Sequence, residues 1–200
     1  MANRSTSLQV RERLLTTADE LFYADGIRAV GIDRVIAESQ VSKSTMYVHF
    51  RTKEDLVQAY LRRRSDAWRD HVEPEIERRA QGPADRVLAL FDVFHEVLAA
   101  PGYRGCPFAN AAAEYPHHDG IQEQIAHHRA WLPGLFRRLL AAWEPDDMLI
   151  AQLVQLSDGA IAAAHLDHAE ASALTARRTA ELLLSTAEPS RRPVAQASAK

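Results

Sequence analysis

Val41-Ser42-Lys43-Ser44-Thr45-Met46-Tyr47-Val48-His49-Phe50-Arg51-Thr52-Lys53-Glu54-Asp55-Leu56 carries two helix starts, one short helix and several phosphate-seeking side chains within a single stretch. Ser42 is placed to accept an orphan backbone N–H and so to cap a helix over Lys43 to Phe50. Met46 and Phe50, four residues apart, fall on one face of that helix, which leaves Lys43, Ser44, Tyr47 and His49 on or near the other. Thr52-x-x-Asp55 then reads as a second capping signature ahead of the apolar positions Leu56, Val57, Tyr60 and Leu61. The second helix starts almost where the first stops, and its positive end carries Lys53, a seat for a phosphate.

This stretch resembles the tetracycline-repressor (TetR) family of bacterial transcription regulators. Val41, Ser42, Lys43, Thr45, Tyr47, Phe50, Lys53 and Leu56 match that family's Val-Ser-Lys-x-Thr-x-Tyr-x-x-Phe-x-x-Lys-x-x-Leu signature at the same spacing. Two positions depart from it. Gln40 stands at a turn where the family usually has Gly, and a non-Gly residue in a left-handed conformation costs roughly 1 kcal/mol. Gly31 stands where many members carry Thr, so a cap is possible but a hydroxyl is lost. The resemblance implies a three-helix head whose third helix enters the major groove. Candidate DNA-binding residues are Gly31 and Ile32 at the second helix start, Lys43, Ser44, Thr45 and His49 for base edges, and Tyr47 and Lys53 for phosphates.

The rest of the chain fits an all-α body. Hydrophobic residues make up 46% of the 200, Gly and Pro number only 8 and 9, and runs of β-branched residues are scarce, so helices should dominate. About nine are expected: a helix-turn-helix head over 1–55, a regulatory and dimerisation body over 56–188, and a mobile tail over 189–200, with residues 1–7 a mobile polar arm. The first helix is predicted from Leu8 to Ala24, and the second around Ile32, Val35 and Ile36. The fourth runs from Lys53 to Val72, with Pro74 breaking it, and serves as a connector between head and body. Its Arg62-Arg63-Arg64 run is read as a solvated face. Further helices are expected over Asp85 to Ala99, Phe108 to Tyr115, Ile121 to Trp143 with a kink at Pro133, Asp146 to His168, and Ala171 to Thr186. Within the penultimate helix, Ile150, Leu153, Val154, Ser157, Ala160, Ile161 and Ala164 form one stripe. Its residues fit an ordinary core; the family resemblance implies instead a four-helix dimer interface, which we favour.

A net charge of −3 argues against a protein that coats nucleic acid without regard to sequence. It leaves room for a local basic face and two heads acting together on an inverted-repeat duplex. With one cysteine, Cys106, no intramolecular disulfide can form, and we read neither a leader peptide nor a membrane span, so a cytoplasmic location is expected.

Arg104-Gly-Cys-Pro-Phe-Ala-Asn-Ala-Ala-Ala-Glu-Tyr115 resembles a segment that lines the regulatory pocket in one branch of the same family. Cys106, Asn110 and Glu114 recur every four residues and could present polar points to a small-molecule effector or, equally, form a satisfied row that pins helix packing. Phe91, Phe94, His95, Phe108 and Trp131 are candidate pocket walls. The histidine pairs 117/118, 127/128 and 165/168 lack a converging third and fourth ligand, so no metal or other cofactor is expected. The sequence shows no nucleophile elbow, phosphate-binding loop or dinucleotide fingerprint, so no enzymatic activity is expected. The competing function is a helical metal- or small-molecule-binding protein whose head docks on protein.

Overall fold

The computed structural model describes the backbone of residues 2–189 and the side chains from residue 7 onward. Among the described residues there are nine α-helices and no strand. They are α1 (Ala2–Asp25), α2 (Ile32–Ser39), α3 (Lys43–His49), α4 (Lys53–Arg79), α5 (Pro83–Leu98), α6 (Pro107–Glu114), α7 (Asp119–Leu139), α8 (Asp147–Leu166) and α9 (Ser172–Ala187). A 3-10 turn at Ala141–Trp143 follows α7.

The caps that start α3 and α4 form as their sequences require. Ser42 Oγ accepts from Thr45 N–H at 3.2 Å. Thr52 and Asp55 cap each other reciprocally, Asp55 N–H donating to Thr52 Oγ1 at 3.0 Å and Thr52 N–H to Asp55 Oδ2 at 3.1 Å. Gln40 closes α2 in the left-handed conformation, with φ 55° and ψ 35°.

Three extents differ from expectation. α1 begins at Ala2, so the backbone expected to be a polar arm is helical; the side chain of Arg4 and residues 190–200 lie outside the description. α4 continues through Pro74 to Arg79. Proline removes one ladder bond there, but Val72 and Ile76 are buried on either side of it, and Glu75 pairs with Arg78 and Arg79, which also reaches Glu96. α7 likewise carries Pro133 internally and stops at Leu139.

The chain forms two compact units, Met1–Arg69 with Cys106–Arg129, and Asp70–Gly105 with Ala130–Lys200. The division falls between Arg69 and Asp70 within α4, and the first unit includes α6 and the first half of α7. In that unit α1, α2 and α3 enclose a core of Leu14, Ala18, Phe22, Val30, Val35, Met46 and Phe50, continued by Leu56, Tyr60 and Phe108. In the second, α5, α8 and α9 pack on one another.

That packing corrects the reading of the α8 stripe. Ile150, Leu153, Ser157, Ala160 and Ala164 are all buried within the chain's own second unit. The face left open is adjacent: Gln152, Gln155, Leu156, Gly159 and Ala163 line a trough with Thr175, Ala176, Thr179 and Leu183 of α9. By length and composition alone α8 is also apolar enough to cross a membrane, a test that the core helix of a globular protein passes as well.

Candidate nucleic-acid interface

The surface of α3 follows from which of its residues the head core claims. Met46 is 0% exposed and Phe50 4%, and the Arg11 guanidinium lies over the Phe50 ring at 5.1 Å. With that face fixed, Tyr47 is 41% exposed and Val48 80%. Val48, in the middle of α3, thus presents an apolar side chain to solvent. Sequence reasoning passed over it because the search there was for polar side chains.

Lys43 is exposed, but its Nζ pairs with Asp33 Oδ1 at 3.0 Å across the α2–α3 turn. That hydrogen bond to the Asp33 carboxylate raises the lysine pKa above its ordinary value. Ser44 is exposed, and its Oγ lies 3.0 Å from Ser42 Oγ, which is also 2.7 Å from Thr45 Oγ1. Thr45 and His49 are half-buried. Gly31 caps α2 without a side-chain bond, is exposed, and has open space where a Cβ would stand. Ile32 is half-buried and packs against the head core.

Lys53 has a more constrained setting. Its Nζ donates to the carbonyl of Arg28 at 3.5 Å and lies 5.8 Å from the centre of the Phe22 ring. Partial burial lowers its pKa. Phosphate contact therefore requires the ammonium to swing off the head, a rotation its four-carbon stem allows.

The eight residues proposed to line an effector pocket are split between the units. Cys106, Phe108, Asn110 and Glu114 lie in the first; Phe91, Phe94, His95 and Trp131 lie in the second. Phe91 and Phe94 are buried and meet edge to face, with centroids 6.1 Å apart. Trp131 Nε1–H donates to Glu73 Oε1 at 2.9 Å. His95 is half-buried, and its Nδ1 has no hydrogen-bond partner in the structure. Phe108 stacks on His128 at 3.5 Å, and Glu114 is bonded to the backbone of the turn after α1. No group of three or more candidate metal ligands occurs among the described residues.

Residues 14–60, which hold the second half of α1, all of α2 and α3 and the start of α4, match the model of bacterial regulatory proteins of the tetR family. A solved TetR-family transcriptional regulator from Streptomyces coelicolor is 37% identical, with 89% of this chain and 95% of that one covered and a TM-score of 0.81. The HTH-type transcriptional repressor NemR of Escherichia coli is 28% identical over 89 residues, which is 44% of this chain and 45% of NemR. The HTH-type transcriptional activator FasR of Mycolicibacterium smegmatis is 31% identical over 104 residues, 51% of this chain and 47% of FasR. The chain spans about half the length of the curated relatives it matches. The 37% identity to the Streptomyces coelicolor regulator over nearly the whole chain, together with the capped α3 and its exposed face, places the protein in the TetR family of transcriptional regulators.

Proposed function

We propose that the protein is a homodimeric, cytoplasmic DNA-binding regulator, a repressor released when a small-molecule effector binds its helical body, and that it performs no catalysis. The observation that carries this is the two-sided character of α3: Met46 and Phe50 anchor it in the head, while Lys43, Ser44, Tyr47 and Val48 face outward. A helix so presented fits the major groove, where Lys43 and Ser44 reach base edges, Val48 meets a thymine methyl, and Tyr47 and Lys53 hold phosphates. Thr45 and His49 border the same face. Two heads related by a two-fold axis call for an inverted repeat.

Release requires an effector that binds one arrangement of the dimer better than the other, because equal affinity shifts nothing. A coupling of about 1–3 kcal/mol weakens DNA binding about 5- to 150-fold. NemR is named a repressor and FasR an activator, so relatives of this chain act in both senses.

Selection of duplexes from a random pool, followed by titration of variants, tests the reading. Tyr47→Phe and Lys53→Ala should weaken binding to every sequence, Lys53→Ala also lowering the salt slope by about one. Lys43→Ala and Val48→Ala should change which sequence is preferred. Unchanged affinity and preference in all four would refute the assignment.

A further inference from the structure

Two backbone amides in the turn after α1 accept an unusual guest. Gly26, at φ +91°, ends α1 by donating its N–H to Phe22 O at 3.1 Å. The next two N–H groups then converge on one carboxylate from far along the chain: Ile27 N–H donates to Glu114 Oε1 at 3.1 Å, and Arg28 N–H donates to Oε2. Successive amides following a left-handed glycine form a concavity suited to an anion, and here a side chain fills it. The guest is held firmly on its own side. Glu114 is the last residue of α6, and near the other end of that helix Phe108 stacks on the His128 ring at 3.5 Å and 3°. His128 Nδ1 in turn lies 3.1 Å from Ser65 Oγ of α4.

The turn is not a neutral place to hold. Ile27 and Val30 are 2% and 0% exposed, so its backbone is fixed to the head core. Arg28 uses both of its backbone groups: its N–H goes to Glu114, and its carbonyl accepts from Lys53. Its guanidinium lies 5.3 Å from the centre of the Tyr115 ring, one residue beyond Glu114. One residue therefore joins the end of α6 to the lysine assigned above to a phosphate.

We propose that Glu114 is a positioning residue for DNA reading: seated on the amides of Ile27 and Arg28, it makes the placement of α6 a condition of the head geometry that binds a duplex. This rests on the DNA-binding reading of the head and adds a specific route by which rearrangement of residues 106–114 alters affinity. It also gives Glu114 a different task from lining a pocket.

The test uses the full chain, a duplex selected by the wild type, anisotropy titrations at several salt concentrations, and amide hydrogen exchange resolved at Ile27 and Arg28. In Glu114→Ala the two amides should exchange faster, and affinity should fall about tenfold. The slope of log affinity against log salt should stay as in wild type, because no phosphate contact is removed. Glu114→Gln, which keeps an acceptor but loses the charge, should fall between. In the wild type, duplex binding should slow exchange at the same two amides, a response that a purely structural contact has no reason to give. Wild-type affinity in Glu114→Ala, or amides indifferent to the duplex, overturns the proposal; should the alanine variant not fold, Glu114→Gln carries the same readouts. A wild-type chain that binds no duplex overturns the DNA-binding reading itself, and this inference with it.

Discussion

At Gln40 the chain holds a side chain in a conformation that glycine adopts freely. The left-handed geometry, φ 55°, closes α2 and aims the chain into Val41 and the Ser42 cap, with Val41 N–H bonded to Ile36 O at 3.3 Å. Gln40→Gly should relieve that strain while adding freedom to the unfolded chain, a net gain of about 0.5 kcal/mol, measured by urea unfolding. Gly31 is the converse case. A Cβ placed there meets nothing within 4 Å, so Gly31→Ser can supply the missing cap and should add a few tenths, about 0.3 kcal/mol, in the same assay. Both positions were legible in the sequence because their physics is local: Ser42, Thr52 and Asp55 cap residues three away. The role of Glu114 was not, since its partners are backbone amides 86 and 87 residues distant, and no side-chain identity marks an amide as vacant. The Asp33 partner of Lys43 was missed for a related reason: an acid at the start of α2 already has a sufficient explanation in the helix dipole.

Among the elements, α3, α5 and α9 could be bounded from the sequence to within about two residues, the usual uncertainty of helix ends, whereas α4 could not. A proline argues for a stop, and only packing and ion pairs far along the chain reveal that the helix passes through it. Periodicity also marked the apolar face of α8 correctly but could not say which neighbour covers it. A buried crosslink among α4, α6 and α7 gives a pH-dependent prediction. His128, stacked on Phe108 and bonded to Ser65, is partly buried, and desolvation together with the nearby Arg69, Arg129 and His127 lowers its pKa to about 4. The fold therefore holds the ring neutral where the unfolded chain would protonate it. The stabilisation is complete above the ordinary histidine value near 6.5 and is lost as pH falls toward about 4. By pH 4 the loss should be on the order of 2 kcal/mol. Thermal unfolding between pH 7 and pH 4.5 should show a steeper decline for wild type than for His128→Asn; equal slopes would show that the ring is not held neutral.

For the molecule as a whole, the open question is how two heads come to act together, and α8 and α9 supply the argument. The inner face of α8 is used up in the second unit, Leu153 and Ser157 both at 0% exposure. The trough beside it is lined by Leu156, Gly159 and Ala163 from α8 and Thr179 and Leu183 from α9. Leu182 nearby on α9 is 65% exposed. A second copy of the same helix pair is the occupant implied by the family, and glycine and alanine at the trough let helix backbones approach closely. Gly159 is the discriminating position. It is exposed, a Cβ there meets no atom within 4 Å, and in an isolated helix glycine is roughly 1 kcal/mol worse than alanine. Without a partner, Gly159→Ala should simply stabilise the chain and Gly159→Arg should be harmless. With a partner seated on the trough, Gly159→Arg should yield a folded monomer in sedimentation velocity, and because both half-sites must then be bound separately, duplex affinity should fall by at least about 100-fold. Ala160 is a poor substitute for this test, because at 4% exposure an arginine there would disrupt the chain's own packing before it reached any neighbour. A Gly159→Arg protein that sediments as a dimer and binds the inverted repeat as tightly as wild type would place the dimer interface on another surface.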